Sequence, residues 1–114
     1  MTHHMKLAPG PFEKMRSGQK SIELRLWDEK RSKLSPGDTL IFTRSDDESR
    51  SLRATVKALH RFPSFRELYA GLPLEKCGYS PQELPQASYR DMEQYYSAAQ
   101  QALYGVVGIE LELL

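Results

Sequence analysis

The stretch Gly18-Gln19-Lys20-Ser21-Ile22-Glu23-Leu24-Arg25-Leu26-Trp27 decides how this chain is read. From Ser21 it alternates strictly, with Ile22, Leu24 and Leu26 on one face and Glu23, Arg25 and Trp27 on the other, the period of a half-buried β-strand. Just before it, Pro11 to Ser17 reads as a short helix with Phe12 and Met15 on one side and Gly18 as its C-terminal stop, so Lys20 follows a helix end. Three ionisable groups converge there: Glu23 and Arg25 share a strand face roughly 6 to 7 Å apart, with Lys20 at the strand entrance beside them. One reading is a solvated Lys-Glu-Arg ion network. The other is a surface for a nucleobase or another flat polar ligand, because the large aromatic Trp27 continues the same face.

Outward from this strand, hairpins dominate. Met5 to Leu7 begins a short strand that Pro9, Gly10 and Pro11 stop. Ser35-Pro36-Gly37-Asp38 is a turn leading into a strand over Thr39 to Thr43, and the polar Ser45 to Ser49 separates that from a strand over Leu52 to Leu59 with Leu52, Ala54, Val56 and Ala58 on one face. Ser64-Phe65-Arg66-Glu67 has capping-box spacing and predicts a helix over Phe65 to Ala70, and Ser80-Pro81-Gln82-Glu83 repeats the device. Tyr89, Met92, Tyr96, Ala99 and Leu103 recur at spacings of three and four, which predicts one amphipathic helix over Ser88 to Leu103. Tyr104 to Leu114 alternates again as the last strand. The expected fold class is α+β, a small closed or nearly closed β-barrel of about five or six strands with inserted helices, since closure removes exposed edges.

Size and composition bound the function. With 114 residues and 13.1 kDa there is room for one domain, which excludes separate cofactor and substrate halves. No apolar run approaches the ~20 residues that cross a bilayer, and Met1 to Lys6 lacks a secretory apolar middle, so no membrane partner and a cytoplasmic location are expected. Cys77 is the only cysteine, which rules out an internal disulfide or a Cys-x-x-Cys site and reads as a small core residue. The net charge of +1 hides an asymmetry: residues 1–66 carry 14 Lys and Arg against 8 Asp and Glu, and residues 67–114 carry 2 against 7. Arg50, Arg53, Lys57, Arg61 and Arg66 form a run without an acid and, on one face with Lys20, would attract phosphates.

Other chemistries lack their residues. His3, His4 and His60 have no metal-ligand spacing, Gly105 and Gly108 lack the strand-to-helix setting of a dinucleotide fingerprint, and Ser35, Ser64 and Ser80 have no His-Asp partners in order. Neither a metal nor another cofactor is expected. Tyr89, Tyr95, Tyr96 and Tyr104 read as core or rim aromatics, one of which could close a cleft over a base.

Gly18, Lys20, Glu23 and Arg25 match the Gly-x-Lys-x-x-Glu-x-Arg signature of the ASCH domain family, whose members are small PUA-like barrels. Pro11-Phe12-Glu13, Asp28-Glu29-Lys30-Arg31, Pro36-Gly37-Asp38, Phe62-Pro63-Ser64-Phe65 with Leu68, and Tyr104-Gly105-Val106-Val107-Gly108-Ile109-Glu110 extend the likeness along nearly the whole chain, which resembles the stand-alone bacterial and archaeal branch. The resemblance implies a cleft beside the signature strand that binds RNA or a modified nucleoside; the sequence leaves the oligomeric state open between a monomer and a weak dimer. One branch of the family hydrolyses the acetyl amide of N4-acetylcytidine with a Lys, a Thr and a Glu, and another member is assigned ribonuclease activity. Lys20 matches that lysine, Glu23 stands where the threonine does, and Glu75 is the carboxylate nearest the third position. The resemblance thus implies Lys20, Glu23 and Glu75 as the residues of a catalytic site, and the strand face, the basic run and the rim aromatics add Arg25, Trp27, Arg53, Lys57, Arg61 and Tyr104 around the ligand; the alternative is a non-enzymatic single-stranded RNA-binding module or a ribonuclease.

Overall fold

A computed structural model describes residues 1–114. Five strands, β1 (Thr2–Leu7), β2 (Ile22–Leu26), β3 (Thr39–Arg44), β4 (Asp47–Phe62) and β5 (Val106–Leu113), form one curled sheet in the order β1-β3-β4-β5-β2. Only β1 and β3 run parallel, and every other neighbouring pair is antiparallel. The fold is α+β as expected, but the sheet is a half-barrel whose edges, β1 and β2, are not paired to each other. A side chain spans the gap: Arg25 on β2 donates from Nη2 to the Lys6 carbonyl on β1 at 2.8 Å.

β4 bends the sheet. At 16 residues it is long enough to pair with β3 through Thr55 and with β5 from Ala54 onward. Between Val56, opposite Leu111, and Ala58, opposite Glu110, Lys57 is one residue too many for the ladder, and such a bulge adds twist. It also shifts the alternation. Leu52, Ala54 and Val56 face the core as expected, whereas Leu59 and not Ala58 continues that face, opposite the buried Ile109.

Because β2 and β5 alternate, their two faces serve two cores. Inside the curl lie Met5, Leu7, Phe12, Leu40, Phe42, Val56, Val107, Ile109 and others, with α1 (Pro9–Arg16) inserting Phe12 and Met15. On the outer face, Ile22, Leu24, Leu26 and Val106 pack under Phe65 and Leu68 of α2 (Phe65–Gly71), Cys77 and Met92.

The single helix expected over Ser88 to Leu103 is instead two elements, a 3₁₀ segment at Tyr89–Gln94 and α3 (Ala98–Tyr104), broken around Ser97. Each has its own capping box, Ser88 with Asp91 and Ser97 with Gln100. A serine that caps the free amides of a new helix cannot also sit inside the preceding one, so local capping overrides the apolar period. At α2 the Ser64 and Glu67 side chains bond each other, and the Phe65 amide is taken by Gln101 Oε1 at 3.2 Å. No helix is long and apolar enough to cross a membrane.

Candidate functional site

The turn from α1 into β2 places Lys20. Its backbone N–H bonds the Lys14 carbonyl at 3.0 Å and the next amide, Ser21, bonds the Lys76 carbonyl at 2.8 Å, fixing the chain at the strand entrance. Lys20 Nζ then lies 3.1 Å from Glu23 Oε1 and donates to the Cys77 carbonyl at 3.0 Å. Arg25 Nε donates to Glu23 Oε2 at 2.8 Å, and Arg25 Nη2 is 2.7 Å from the same oxygen. Lys20 is 8% and Glu23 5% exposed, so this is a buried network and not a solvated strand face. Burial alone would push the Glu23 carboxyl up, but the charges of Lys20 and Arg25 and their hydrogen bonds outweigh it and hold it below the ordinary carboxylate range.

Hydrogen-bonding capacity remains on this wall. A lysine ammonium has three protons, of which Glu23 and Cys77 engage two; Arg25 Nη1 has no partner in the protein; and Glu23 Oε1 meets only Lys20. The wall therefore offers several charged donors and one carboxylate lone pair.

A cleft of about 540 Å³ opens beside these groups, between the gap of the half-barrel and the segments that cover β2. Lys6 to Ala8, Gly10, Pro11, Lys14 and the trio form its sheet side. The facing wall comes from α2, from the segment after the 3₁₀ turn Leu74–Cys77, and from the Tyr89–Gln94 segment with Tyr95 and Tyr96. Gly78, at φ +112°, permits the turn in which two successive carbonyls meet two lysines: Cys77 O takes Lys20, and Gly78 O takes Lys14 Nζ at 2.7 Å. Lys14 also pairs with Glu83 at 3.0 Å. The Ser80 amide and Lys14 hold the Glu83 carboxyl down to about 2, so it carries no proton to give near neutral pH. Tyr69 Oη and Tyr79 Oη are 2.7 Å apart, and Tyr79 donates to Asp91 Oδ2 at 2.7 Å.

Of the residues singled out in the sequence, the structure brings Lys20, Glu23 and Arg25 together in the cleft wall with Tyr95 and Tyr96 in the same lining, and leaves Glu75, Trp27, Arg53, Lys57, Arg61 and Tyr104 outside it. Glu75 is exposed on its 3₁₀ turn, and the other carboxylates that reach the cleft are Glu83 and Asp91. Trp27 continues the Glu23 face but packs on the inner core, with the Arg61 guanidinium 4.7 Å above its ring, so each occupies the other. Arg53 stands exposed opposite Ile41, and the bulged Lys57 lies 3.9 Å from Glu112. Arg50 turns to α1, over Phe12 and 3.2 Å from Glu13. The basic run is thus dispersed and does not share the cleft with Lys20. Tyr104 borders a separate hollow with His3 and Asp28.

Lys14, Tyr69 and Tyr79 are further cleft residues that no motif or spacing in the sequence marks. Strand alternation exposes a pair such as Glu23 and Arg25, but nothing local marks a tyrosine whose partner is ten residues away. Asp91 did carry a signal, the Ser88-x-x-Asp91 spacing. Cys77 is a core residue whose thiol burial pushes up to about 11.

The crystal structure of hypothetical protein PH0355 superposes with a TM-score of 0.82 at 32% identity, covering 100% of both chains. The solution structure of protein PF0455 from Pyrococcus furiosus gives 0.74 at 32% identity, covering 100% of this chain and 98% of that one. The ASCH protein of Zymomonas mobilis gives 0.66 at 15% identity over 97% of this chain and 66% of its own, a likeness of fold alone. No curated protein matches the sequence. The family model described as ASCH domain matches residues 5–114, and on that extent the chain belongs to the ASCH domain family, with its small PUA-like fold.

Proposed function

We propose that the cleft recognises a nucleoside or a single-stranded RNA nucleotide, with Lys20 and Arg25 as the donors that meet its carbonyl or phosphate oxygens. What carries this reading is the state of Glu23: both its oxygens lie against cations and its carboxyl is held low, so it orients Lys20 and Arg25 toward a ligand and has little pull on a proton. Pre-oriented charged donors favour a ligand rich in acceptors, and the exposed ring of Tyr95 in the same lining, beside Tyr96, which stacks on Phe65, suits a flat base.

A second reading, hydrolysis of an acylated cytidine, draws support from the 3.1 Å Lys20–Glu23 pair. In that reaction water bound at the free lone pair of Glu23 Oε1 gives its proton to the carboxylate as the C–O bond forms. Lys20 stabilises the oxyanion, and the proton passes to the leaving nitrogen as the C–N bond breaks, yielding a carboxylate and the free amine.

The experiment is to measure affinity and turnover on the same proteins, wild type and Lys20→Ala, Glu23→Gln and Arg25→Ala, with acylated and free nucleosides and short single-stranded RNA. Recognition without chemistry predicts no turnover by wild type and an affinity loss of about tenfold or more for Lys20→Ala, the value of a charge-assisted hydrogen bond. Catalysis predicts turnover that Glu23→Gln lowers by about two to four powers of ten at little cost in affinity. Wild-type protein that binds no member of the panel would sink both.

A further inference from the structure

The wall facing Lys20 contains a hydrogen-bonded chain, Tyr69 to Tyr79 to Asp91, that neither reading of the trio uses. All three residues line the cleft, and both links are 2.7 Å long. Their proton positions follow from counting. A carboxylate can only accept, and Asp91 Oδ2 also accepts the Ser88 amide at 3.2 Å, so the Tyr79 proton points at Asp91. Tyr79 has one proton and has spent it; toward Tyr69 it can only accept. Tyr69 must therefore donate to Tyr79, and Tyr79 is its only hydrogen-bond partner in the protein. Tyr69 is left with lone pairs alone to offer the cleft. Burial keeps both phenols protonated near neutral pH, pushing Tyr69 up to about 12 and Tyr79 further.

We propose that Tyr69, polarised through Tyr79 by Asp91, is the specificity-determining acceptor of the cleft, selecting ligands that present an N–H at that position and rejecting those that present an oxygen. The two walls then read opposite edges of one ligand. Lys20 and Arg25 require acceptors, whereas Tyr69 requires a donor, such as an exocyclic amine or a secondary amide. This rests on the cleft holding a base or nucleoside, and it narrows the class to amino-bearing bases over their keto counterparts. The cost of a mismatch is lone pair against lone pair in a partly dried site, where neither group regains the hydrogen bond it had in water.

Two matched pairs of nucleotides test it, cytidine against uridine monophosphate and adenosine against inosine monophosphate, because within each pair an exocyclic amino group is exchanged for a carbonyl while the ring nitrogen beside it gains a proton, so the keto member is rejected where its exocyclic oxygen meets Tyr69. Titration calorimetry on wild-type protein should show the amino member of at least one pair bound about tenfold more tightly. Tyr79→Phe frees the Tyr69 hydroxyl to turn its proton into the cleft. The keto member should then gain affinity until the ratio approaches one, with the amino member nearly unchanged. A purely structural role for Tyr79 would weaken both members alike and leave the ratio in place, which overturns the proposal. If Tyr79→Phe does not fold, Tyr69→Phe decides: it should weaken only the amino member, and equal losses for both count against the inference. Equal wild-type affinities that Lys20→Ala abolishes would leave nucleotide recognition standing and remove the Tyr69 inference. Absence of binding for all four nucleotides would remove both.

Discussion

The two walls of the cleft are built on different principles. The β2 wall is a buried ion network within six residues of sequence, Lys20 to Arg25, held by a strand paired to β5 and by the Arg25 bridge to β1. The facing wall is assembled from three separate segments, α2, the Gly78 turn and the Tyr89–Gln94 segment, and is joined by neutral hydroxyls and one carboxylate at the rim. The first keeps charge fixed and dry. The second fixes only the direction of protons, so it can distinguish ligands at small cost to the fold.

If the walls differ in this way, removing the hinge of the first should be the most damaging change in the cleft. Glu23→Ala leaves the buried Lys20 and the partly buried Arg25 without their counter-ion, and denaturant unfolding should show a loss of about 3–5 kcal/mol. A loss below about 1 kcal/mol, typical of exposed ion pairs, would erase the contrast between the walls.

Acid should act on the same wall. Glu23 is lowered in the folded state, so the folded protein binds fewer protons than the unfolded chain, and the stabilisation is complete above the ordinary carboxylate value of 4.5. It is lost as pH falls below that value. Melting temperature should therefore drop more steeply between about pH 5 and 3 for wild type than for Glu23→Gln, which has no such proton to take up. Parallel curves would mean that other carboxylates carry the acid sensitivity.

Across the cleft, Tyr79→Phe removes two hydrogen bonds but no charge, and unfolding should become easier by about 1 kcal/mol. The smallest effect is expected at Lys14, which resembles Lys20 in holding a backbone carbonyl of the same turn but is about one-third exposed and pairs with the exposed Glu83. Lys14→Ala should leave the melting temperature nearly unchanged while amide hydrogen exchange quickens at Gly78 to Glu83. Exchange confined to its wild-type rate there would show that Lys20 alone secures the turn.

Local pattern made much of this protein legible. Alternation from Ser21 placed Glu23 and Arg25 on one face, Gly18 and Pro36-Gly37 marked the ends of elements, and the alternating tail announced β5, because strand period and turn chemistry act over a few residues. The apolar spacing from Tyr89 to Leu103 misled, since Ser97 carries a second capping box that restarts the helix. Trp27 and Arg61 each looked available to a ligand, and only their contact shows that they satisfy one another. The bulge at Lys57, the dispersal of the basic run and the chain from Tyr69 to Asp91 likewise lie beyond sequence pattern. What the sequence by itself determined was the set of faces each element would present, a matter of backbone periodicity. Which faces meet, and hence whether a charge is buried, paired or left free for a ligand, was decided by the curl of the sheet and the segments folded over β2, because those contacts join residues far apart in the chain.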